Sequence, residues 1–437
     1  MDTLYLLAHA LRLLLAAGRT MRIEPVASMS DADMAGNAHG ISYAILATRW
    51  QQKSGGLSWS SVYEQWQSRL SAAKIPSLYG SFDPADRLEL LTDNAAAFEK
   101  RHSLYQAAKQ SIDISTFYIQ ADEVGWRTAR ALADCARRGV RVRIIADRCI
   151  TAQKVFGNPE VLDVIRFLRD AGVDYRLFKD PNRRYDACHR KLLIVDGTAL
   201  ITGGRNYANH YAGSEWRDID LLLTGPSAAR AQLVYEETFT SVPNMHDDNA
   251  QGNIFQPTAP AGIASNANFI YLLDCIRACR KTLDIENAYY FNHPMIHHEL
   301  AAACSRGVRV RLFTNSAESN DLDFMNYRLY AGFPDLIDIG VSLYLRRGKG
   351  RTLHCKYFVS DGEWIGFGSS NLDFFSPRFC LELGIQVRDS HLAELLTAWF
   401  EQGIAEAEFL NDRTIAESVI AKQTIGRIFD RWLPDIQ

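Results

Sequence analysis

The sequence predicts an α/β fold of two similar halves, each a mixed sheet flanked by helices. From about residue 87 onward, apolar segments of strand length alternate with helical segments, and the second half repeats the first. Such alternation is typical of βαβ units and of parallel or mixed sheets. At 437 residues the chain is also too long for one ordinary core, so two fused halves are expected.

The elements of the first half follow in a regular order. We predict strands at 87–91, 112–118, 140–146 and 173–178, and helices at 95–109, 124–138 and 159–171. Gly139 directly follows the second of these helices, where a glycine is a stop signal.

The second half repeats this order, with an offset that drifts from 171 to 168 to 165 residues, as in an old duplication with altered loops. The joint between the halves lies at 243–260, rich in Asn, Asp, Gly and Pro. The expected domains are an N-terminal helical accessory region at 1–86, a first half at 87–248, a second half at 249–390 and a C-terminal helical segment at 391–437.

The strongest repeat is a pattern H-x-K-x4-D. It occurs at His189, Lys191 and Asp196, and again 165 residues later at His354, Lys356 and Asp361, and all six residues are expected to be catalytic. On a strand, the His and Lys of each copy project from the same face. A glycine-containing turn follows each copy in the same register, and the expected phosphate-binding residues in these turns are Asn206, Ser369 and Asn371.

Each copy supplies an imidazole and an ammonium group next to amide donors, a set suited to a phosphate. Two copies placed face to face would let one imidazole attack phosphorus and the other protonate the leaving oxygen. For a single copy, a half-buried hairpin with a satisfied histidine explains the pattern equally well. The in-register repeat favours catalysis by both.

Each imidazole needs an acid to hold its tautomer. The first half offers Asp218, 29 residues after His189, with Asp220 as a rival. The second half offers Glu382, 28 residues after His354. Surface carboxylates on edge strands are the alternative interpretation.

The paired motifs resemble those of the phospholipase D superfamily, in which two such half-sites form one active centre. The runs Trp216-Arg217-Asp218 and Gly203-Gly204-Arg205-Asn206 are similar to those of bacterial cardiolipin synthases. The resemblance implies one active site at the interface of the halves, and a phosphohistidine intermediate formed without metal or cofactor. The near symmetry of the motifs leaves the nucleophile open, with His189 favoured.

The resemblance also implies a phospholipid substrate of the phosphatidylglycerol or phosphatidylethanolamine class. Two departures leave open whether the reaction is transfer to an alcohol or hydrolysis. The clear transmembrane helices with which those synthases usually begin are not evident here, and Gly204 stands where the second half has Ser369.

Charge separates the alternative functions. A nuclease of the same superfamily would need a strongly basic groove, and the formal net charge of −3 disfavours a nucleic-acid partner. A catalytically dead membrane scaffold is disfavoured by the intact His, Lys and Asn of both motifs. His293, His297 and His298 lack the spacing of a metal site, so no metal is expected.

Several features indicate an anionic membrane surface as a partner. The apolar run 4–17 is too short to span a bilayer, so it either packs on the protein or lies on a membrane. Basic loops precede both histidines and are either solvated turns or a collar for anionic headgroups: Lys179, Arg183 and Arg184, and Arg346, Arg347, Lys349 and Arg351. Eight cysteines without a C-x2-C pair favour free thiols in the cytoplasm, and peripheral association with the inner face of the cell membrane is expected.

Overall fold

The computed structural model describes most of the chain between residues 81 and 423. The described residues are 81–178, 187–240, 255–258, 267–322, 325–373, 376 and 380–423. The expected surface helix at 4–17, nearly all of the accessory region 1–86 and the basic loop of Lys179, Arg183 and Arg184 lie outside them. Within the described residues, no helix is both long and apolar enough to cross a membrane.

The first half contributes eight of the described strands. They are β1 Arg87–Leu91, β2 Ser111–Thr116, β3 Arg141–Asp147, β4 Asp174–Phe178, β5 Ala187–Cys188, β6 Leu192–Val195, β7 Ala199–Gly203 and β8 Asp220–Thr224. All but β5 form one sheet in the order β1-β8-β7-β6-β2-β3-β4. Strands β2, β3 and β4 are parallel and the other pairs are antiparallel, so the sheet is mixed, as the sequence predicts.

The second half forms a second mixed sheet. Its strands are β9 Phe255–Thr258, β10 Thr282–Asn287, β11 Arg309–Asn315, β12 Ser342–Arg346, β13 Lys356–Ser360, β14 Trp364–Gly368, β15 Cys380–Arg388 and β16 Glu408–Leu410. The order is β16-β12-β11-β10-β13-β14-β15-β5, and β9 pairs with β15. Strand β5 therefore leaves the first half and joins the sheet of the second.

The duplication is visible in a buried ion pair that both sheets contain. In the first half, Arg143 Nε donates to Asp113 Oδ1 at 2.6 Å, across the paired positions of β2 and β3. In the second half, Arg311 Nε donates to Asp284 Oδ1 at 2.7 Å, across the paired positions of β10 and β11. Equivalent strands thus occupy equivalent places in the two sheets.

One apolar core joins the halves. Buried side chains of the first half, such as Leu221 and Tyr235, pack in the same cluster as Tyr357, Leu383 and Phe400 of the second. A continuous core of this kind resists sliding of one half on the other, because separation would expose its apolar surface to water. Residues from both halves can therefore be held in fixed positions at the interface.

Aspartates begin five of the described helices. The side chains of Asp93, Asp122, Asp147, Asp389 and Asp412 each accept a hydrogen bond from a backbone N–H of the first turn. The helices are α1 Asn94–Ala107, α2 Glu123–Arg137, α3 Arg148–Gly157, α4 Val161–Asp170, α5 Asn209–Ala212, α6 Ala228–Thr240, α7 Ala267–Ala278, α8 Pro294–Ser305, α9 Asn326–Ala331, α10 Phe333–Asp338, α11 Ser390–Ala405 and α12 Arg413–Lys422.

Helix α3 and strand β16 are among the elements that the sequence does not predict. Helix α3 lacks an apolar stripe, since Thr151 is its buried residue and Phe156 is 58% exposed. Strand β16 lies between α11 and α12, within a segment predicted to be helical, and it pairs with β12. Three residues are too few to show a period in the sequence.

Candidate active site

Two short connections between the halves bring the motifs together. Strand β5 runs parallel to β15, and the backbone N–H of His189 donates to the carbonyl of Leu381 at 2.9 Å. On the other side, Arg217 and Leu353 form an isolated parallel β-bridge. The N–H of His354 donates to the carbonyl of Arg217 at 2.7 Å. Each motif histidine therefore lies next to a backbone segment of the opposite half.

His189 is paired with Glu382 of the second half. Its Nδ1 lies 2.9 and 3.0 Å from the two carboxylate oxygens, and the imidazole is buried. Two hydroxyl groups also donate to this carboxylate, from Ser369 at 2.5 Å and from Ser376 at 2.7 Å. Burial alone would raise the pKa of Glu382, but the imidazole, the Lys191 ammonium and the Ser369 hydroxyl hold it below its ordinary value.

His354 is paired with Asp218 of the first half. Its Nδ1 lies 2.8 Å from Asp218 Oδ2, while the other oxygen accepts from the N–H of Ile219 at 2.9 Å. Burial raises the pKa of Asp218, against the opposing effect of Arg205 and Lys356. The Asp218 carboxylate therefore accepts from fewer donors than Glu382 does, and it is more easily protonated.

The acids are thus exchanged between the halves. Counting along the chain pairs Asp218 with His189 and Glu382 with His354, and this assignment is wrong. The reason is that spacing reports position in one half, whereas β5 and the Arg217–Leu353 bridge cross between halves. The rival acid, Asp220, instead binds Arg101 at 2.8 Å and Arg205 at 3.1 Å.

Both motif lysines are buried at the same centre. Lys191 Nζ donates to the carbonyl of His189 at 2.7 Å, and Lys356 Nζ donates to that of His354 at 2.5 Å. Burial lowers the pKa of Lys191 to about 7, with Lys356 adding to the effect. Besides burial, the charges of both lysines lower the pKa of each imidazole, so the two imidazoles and two ammonium groups from separate halves lie close together.

The comparisons with known proteins agree with this geometry. The model of a family described as "Cardiolipin synthase, PLD-like domain" matches residues 103–240 and 272–404, one segment in each half. The chain belongs to this family. It is therefore an enzyme of the phospholipase D superfamily and of its phosphatidyltransferase class.

Individual relatives are distant but cover most of the chain. A probable cardiolipin synthase of Bacillus subtilis is 25% identical over 83% of this chain and 75% of its own length. A cardiolipin synthase B of Salmonella typhi is 27% identical over 78% of this chain and 84% of its own length. The crystal structure of a phosphatidylserine synthase from Haemophilus influenzae has the same fold, with a TM-score of 0.68 at 16% identity, over 85% of this chain and 98% of that one.

Both imidazoles of this family member are neutral at rest. Burial lowers the pKa of His189, although Glu382 opposes the shift. Burial, Lys356 and Lys191 lower the pKa of His354 well below its ordinary value. In each ring the Nδ1–H donates to its carboxylate, so the Nε2 atom carries the lone pair.

Aromatic side chains enclose the imidazoles. The Phe117 ring meets the His189 ring edge-on at a centroid distance of 4.8 Å. The rings of Tyr211 and Trp216 each lie 5.4 Å from that of His354. These walls limit the access of water to the reacting atoms.

Two of the residues expected to bind phosphate instead support the site. Asn206 Oδ1 accepts from the N–H of Phe117 at 3.0 Å, and its Nδ2 donates to the Tyr211 hydroxyl at 2.7 Å. Ser369 donates to Glu382. Asn371 differs, because its Nδ2 makes no hydrogen bond within the described part of the chain and can donate to a phosphate oxygen, so it remains a candidate ligand of phosphate.

The structure corrects the catalytic role expected of Asp196 and Asp361. The Asp196 carboxylate accepts from the backbone N–H groups of Lys109, Gln110 and Ser111 at 2.7 to 2.9 Å. Asp361 accepts in the same way from three N–H groups, at 2.7 to 3.0 Å. Both lie at the end of their strand remote from the lysine and have φ values of 51° and 53°. Each carboxylate therefore stabilises a turn. This role explains why the aspartate has the same spacing in both copies of the motif, without a part in catalysis.

Sequence reasoning missed Ser376, which lies seven residues beyond Ser369 and outside the repeated pattern. No signal in the sequence distinguishes it from other serines. Of the three histidines considered as metal ligands, His293 caps α8, where its Nδ1 accepts from the N–H of Met295 at 3.2 Å. In the described ranges, no three His, Cys, Asp or Glu side chains are arranged to hold a metal ion.

Proposed function

We propose that this enzyme transfers a phosphatidyl group from one phospholipid to the hydroxyl group of another, through a phosphohistidine intermediate. The observation that carries the proposal is the pair of exchanged half-sites, His189 with Glu382 and His354 with Asp218, around two buried lysines. Such a set can attack a phosphodiester from one side and protonate the leaving group on the other.

In the first step, we propose that His189 is the nucleophile. Its Nε2 attacks phosphorus, a P–N bond forms, and the P–O bond to the leaving alcohol breaks. Phosphorylation places positive charge on the ring, and Glu382 is the carboxylate better suited to stabilise it, because its donors keep it ionised. His354 is neutral at rest, so its Nε2 first takes up a proton from solvent. The imidazolium then gives this proton to the departing oxygen, and its depressed pKa makes it a strong acid.

The second step reverses the roles of bond making and breaking. Neutral His354 takes the proton of the acceptor hydroxyl, the acceptor oxygen attacks phosphorus, and the P–N bond to His189 breaks. His189 is then neutral again, and His354 is again the imidazolium that protonates the leaving oxygen in the next cycle. Asp218 holds the His354 ring in place throughout, through the 2.8 Å bond to Nδ1.

We propose that Lys191 and Lys356 bind the negatively charged oxygens of the phosphate. Each ammonium has three N–H donors and uses one for a backbone carbonyl, which leaves the others for phosphate oxygens. A bound phosphodiester also raises the pKa of Lys191 again, because an anion favours the charged form of the ammonium. Two ammonium groups supply the stabilisation that a metal ion gives in other phosphoryl-transfer sites.

The substrates and the location follow from the chemistry of the surface. We propose that phosphatidylglycerol or phosphatidylethanolamine is the donor and that the enzyme works at the inner face of the cell membrane. Arg347 and Lys349 are exposed on the loop before His354, where they can contact anionic headgroups. Purified protein should sediment with phosphatidylglycerol vesicles more than with neutral vesicles, and deletion of residues 1–20 should weaken this binding.

The direct test is mass spectrometry of the lipids formed from phosphatidylglycerol and phosphatidylethanolamine in the presence of EDTA. We expect cardiolipin with release of an alcohol, and no product from the His189→Ala variant. Phosphatidic acid as the sole product would replace transfer by hydrolysis. Cleavage of plasmid DNA without any turnover of phospholipid would reject the proposal in favour of a nuclease.

A further inference from the structure

The residue that precedes each motif histidine is held by a buried side chain from another strand. The backbone N–H of Cys188, which precedes the first histidine, donates to Asp147 Oδ2 at 2.9 Å. The N–H of Leu353, which precedes the second, donates to Asn315 Oδ1 at 2.8 Å. Both acceptor side chains are completely buried. The backbone from which each imidazole projects is therefore fixed by a contact that the proposed reaction steps do not use.

Asp147 and Asn315 are equivalent residues of the duplication. Asp147 is the last residue of β3, and Asn315 is the last residue of β11. They are 168 residues apart, the same offset as between Arg143 and Arg311 of the two buried ion pairs. The two residues that they hold are 165 apart, like the motif histidines. The same contact thus recurs at the same place in both halves, with a carboxylate in one and an amide in the other.

Asn315 binds Leu353 through both polar atoms of its amide group. Its Oδ1 accepts from the N–H of Leu353, and its Nδ2 donates to the carbonyl of Leu353 at 2.8 Å and to that of Ala288 at 3.0 Å. The Ser319 hydroxyl donates to the same Oδ1 at 3.0 Å. On its other edge, Leu353 pairs with Arg217. This position therefore requires a side chain that both donates and accepts, which a carboxylate cannot do.

Asp147 has a different requirement, because both of its oxygens accept from N–H groups. Its Oδ1 accepts from the N–H of Ile150 in the first turn of α3 at 2.8 Å, and its Oδ2 accepts from the N–H of Cys188. Burial raises the pKa of Asp147 to about 6, which leaves the carboxylate mostly ionised at pH 7. On its other edge, Cys188 pairs with Leu381 of β15. An amide in place of Asp147 would turn its NH2 group toward one of the two N–H donors.

We propose that Asp147 and Asn315 are positioning residues that serve different steps of the reaction. Asp147 holds the backbone that places His189 for attack on phosphorus. Asn315 holds the backbone that places His354 for proton transfer. The inference rests on the proposed function, since it uses the roles that the two imidazoles have there. Each side chain acts through the residue before its histidine, so loss of one contact should displace one imidazole and leave the other in place.

The test exchanges the carboxylate and the amide at each position, which changes the volume of the side chain little. The substrate is a phosphatidyl ester of p-nitrophenol, whose leaving group needs no proton, and 1-propanol is the acceptor. With enzyme in excess, the release of p-nitrophenolate measures attack by His189. With substrate in excess, the formation of phosphatidylpropanol measures turnover, which also requires His354 to activate the acceptor. Mass spectrometry of the intact protein gives the fraction that carries the phosphatidyl adduct.

The two exchanges should affect different measurements. For Asp147→Asn we expect attack to slow about 100-fold, because a small displacement of the imidazole is enough for such a loss, and no adduct to accumulate. For Asn315→Asp, whose carboxylate would face the carbonyls of Leu353 and Ala288, we expect attack to slow less than about threefold, turnover to fall about 100-fold and the adduct to accumulate. A general loss of structure would lower attack and turnover together in both variants.

Further variants separate positioning from stability. Asp389→Asn is the matched control, since its carboxylate caps α11 by accepting from the N–H of Leu392 at 2.8 Å but follows the end of β15 that is remote from β5. It should lower the thermal unfolding temperature, as Asp147→Asn does, and change both rates less than about twofold. If an exchange prevents folding, Asp147→Ser and Asn315→Ser remove each group without a repulsive contact. The same division between attack and turnover is expected of them, with losses of about tenfold.

Failure of the positioning roles and failure of the proposed function give different results. An equal loss of attack and turnover in Asn315→Asp, or unchanged attack in Asp147→Asn, would overturn the positioning roles and leave phosphatidyl transfer intact. Slower attack in Asn315→Asp alone would overturn the division of the steps between the two residues. If the unaltered enzyme releases no p-nitrophenolate and forms no phosphatidylpropanol, the proposed function itself fails.

Discussion

Glu382 and Asp218 occupy equivalent positions in the two halves, yet different sets of groups surround them. Glu382 accepts from an imidazole and two serine hydroxyls, and its pKa is lowered. Asp218 accepts from an imidazole and one backbone N–H, and its pKa is raised. The two half-sites of the duplication therefore hold their imidazoles in different surroundings.

The residue behind each acid accounts for much of the difference. Ser369 supplies a hydroxyl to Glu382, whereas the corresponding Gly204 supplies none. A Cβ atom at Gly204 would lie only 2.2 Å from Asp218 Oδ1, so glycine is needed for the shorter carboxylate to take its place. Ser369 thus adds a hydrogen-bond donor beside Glu382, whereas Gly204 leaves space for the carboxylate of Asp218.

The largest expected effect comes from the two acids, measured with a phosphatidyl ester of p-nitrophenol. This leaving group needs no proton, so only the half-site of the nucleophile limits release of p-nitrophenolate. Glu382→Gln should slow the release by roughly 10³-fold, because His189 loses the tautomer and the charge that attack requires. Asp218→Asn should slow it less than tenfold. The opposite order would mean that His354, the partner of Asp218, is the nucleophile.

A smaller effect is expected from the residues behind the acids. Gly204→Ala should lower the rate of phosphatidyl transfer about 100-fold, because Asp218 must move away from His354. Ser369→Ala removes one hydrogen bond to a carboxylate and should cost about tenfold in the same assay. An equal loss of transfer rate in the two variants would show that Asp218 and Glu382 depend equally on the residue behind them. Circular dichroism of both variants checks that the fold is retained.

The pH dependence should be set by Lys191. Its pKa is about 7 in the free enzyme, so the ammonium is present below pH 7 and is lost as the pH rises above it. Because kcat/KM reports the free enzyme, it should fall about tenfold per pH unit above 7. Lys191→Arg keeps its charge at all these pH values and should abolish this fall. A flat profile up to pH 9 in the unaltered enzyme would contradict the assignment.

The smallest effect on activity is expected from the aspartates at the far ends of the motif strands. Asp196→Ala should lower the free energy of unfolding by roughly 1–2 kcal/mol, since three backbone N–H groups lose their acceptor. The kcat of the folded variant should remain within threefold. Asp196→Asn tolerates the positive φ and should lose less stability. A loss of 10³-fold in kcat without unfolding would restore the catalytic interpretation.

The sequence predicts the layout of this protein better than its contacts. The mixed sheets and their duplication follow from periodicity and from runs such as 136–143 and 304–311, because these features repeat along the chain. The exchange of Asp218 and Glu382 does not, because it depends on two short strand contacts between halves that leave no period. The same limit hid Ser376, whose bond to Glu382 is visible only in the structure.

The motif pattern also misleads where one spacing serves two purposes. His189, Lys191 and Asp196 recur together, and their common recurrence suggests a common role. The strand β6 separates them into two ends, with the imidazole and ammonium at the site and the carboxylate at a turn. A sequence pattern cannot distinguish a residue that reacts from one that fixes the strand on which the reacting residues lie.

The central claim is that the two half-sites have different duties, and trapping of the covalent intermediate tests it most directly. His354→Ala is incubated with the p-nitrophenyl ester, and the protein is mapped by mass spectrometry. We predict a phosphatidyl adduct on His189, which accumulates because no base remains to activate the acceptor, and none in His189→Ala. An adduct on His354 in the His189→Ala variant would reverse the assignment, and the absence of an adduct from both would contradict the covalent mechanism.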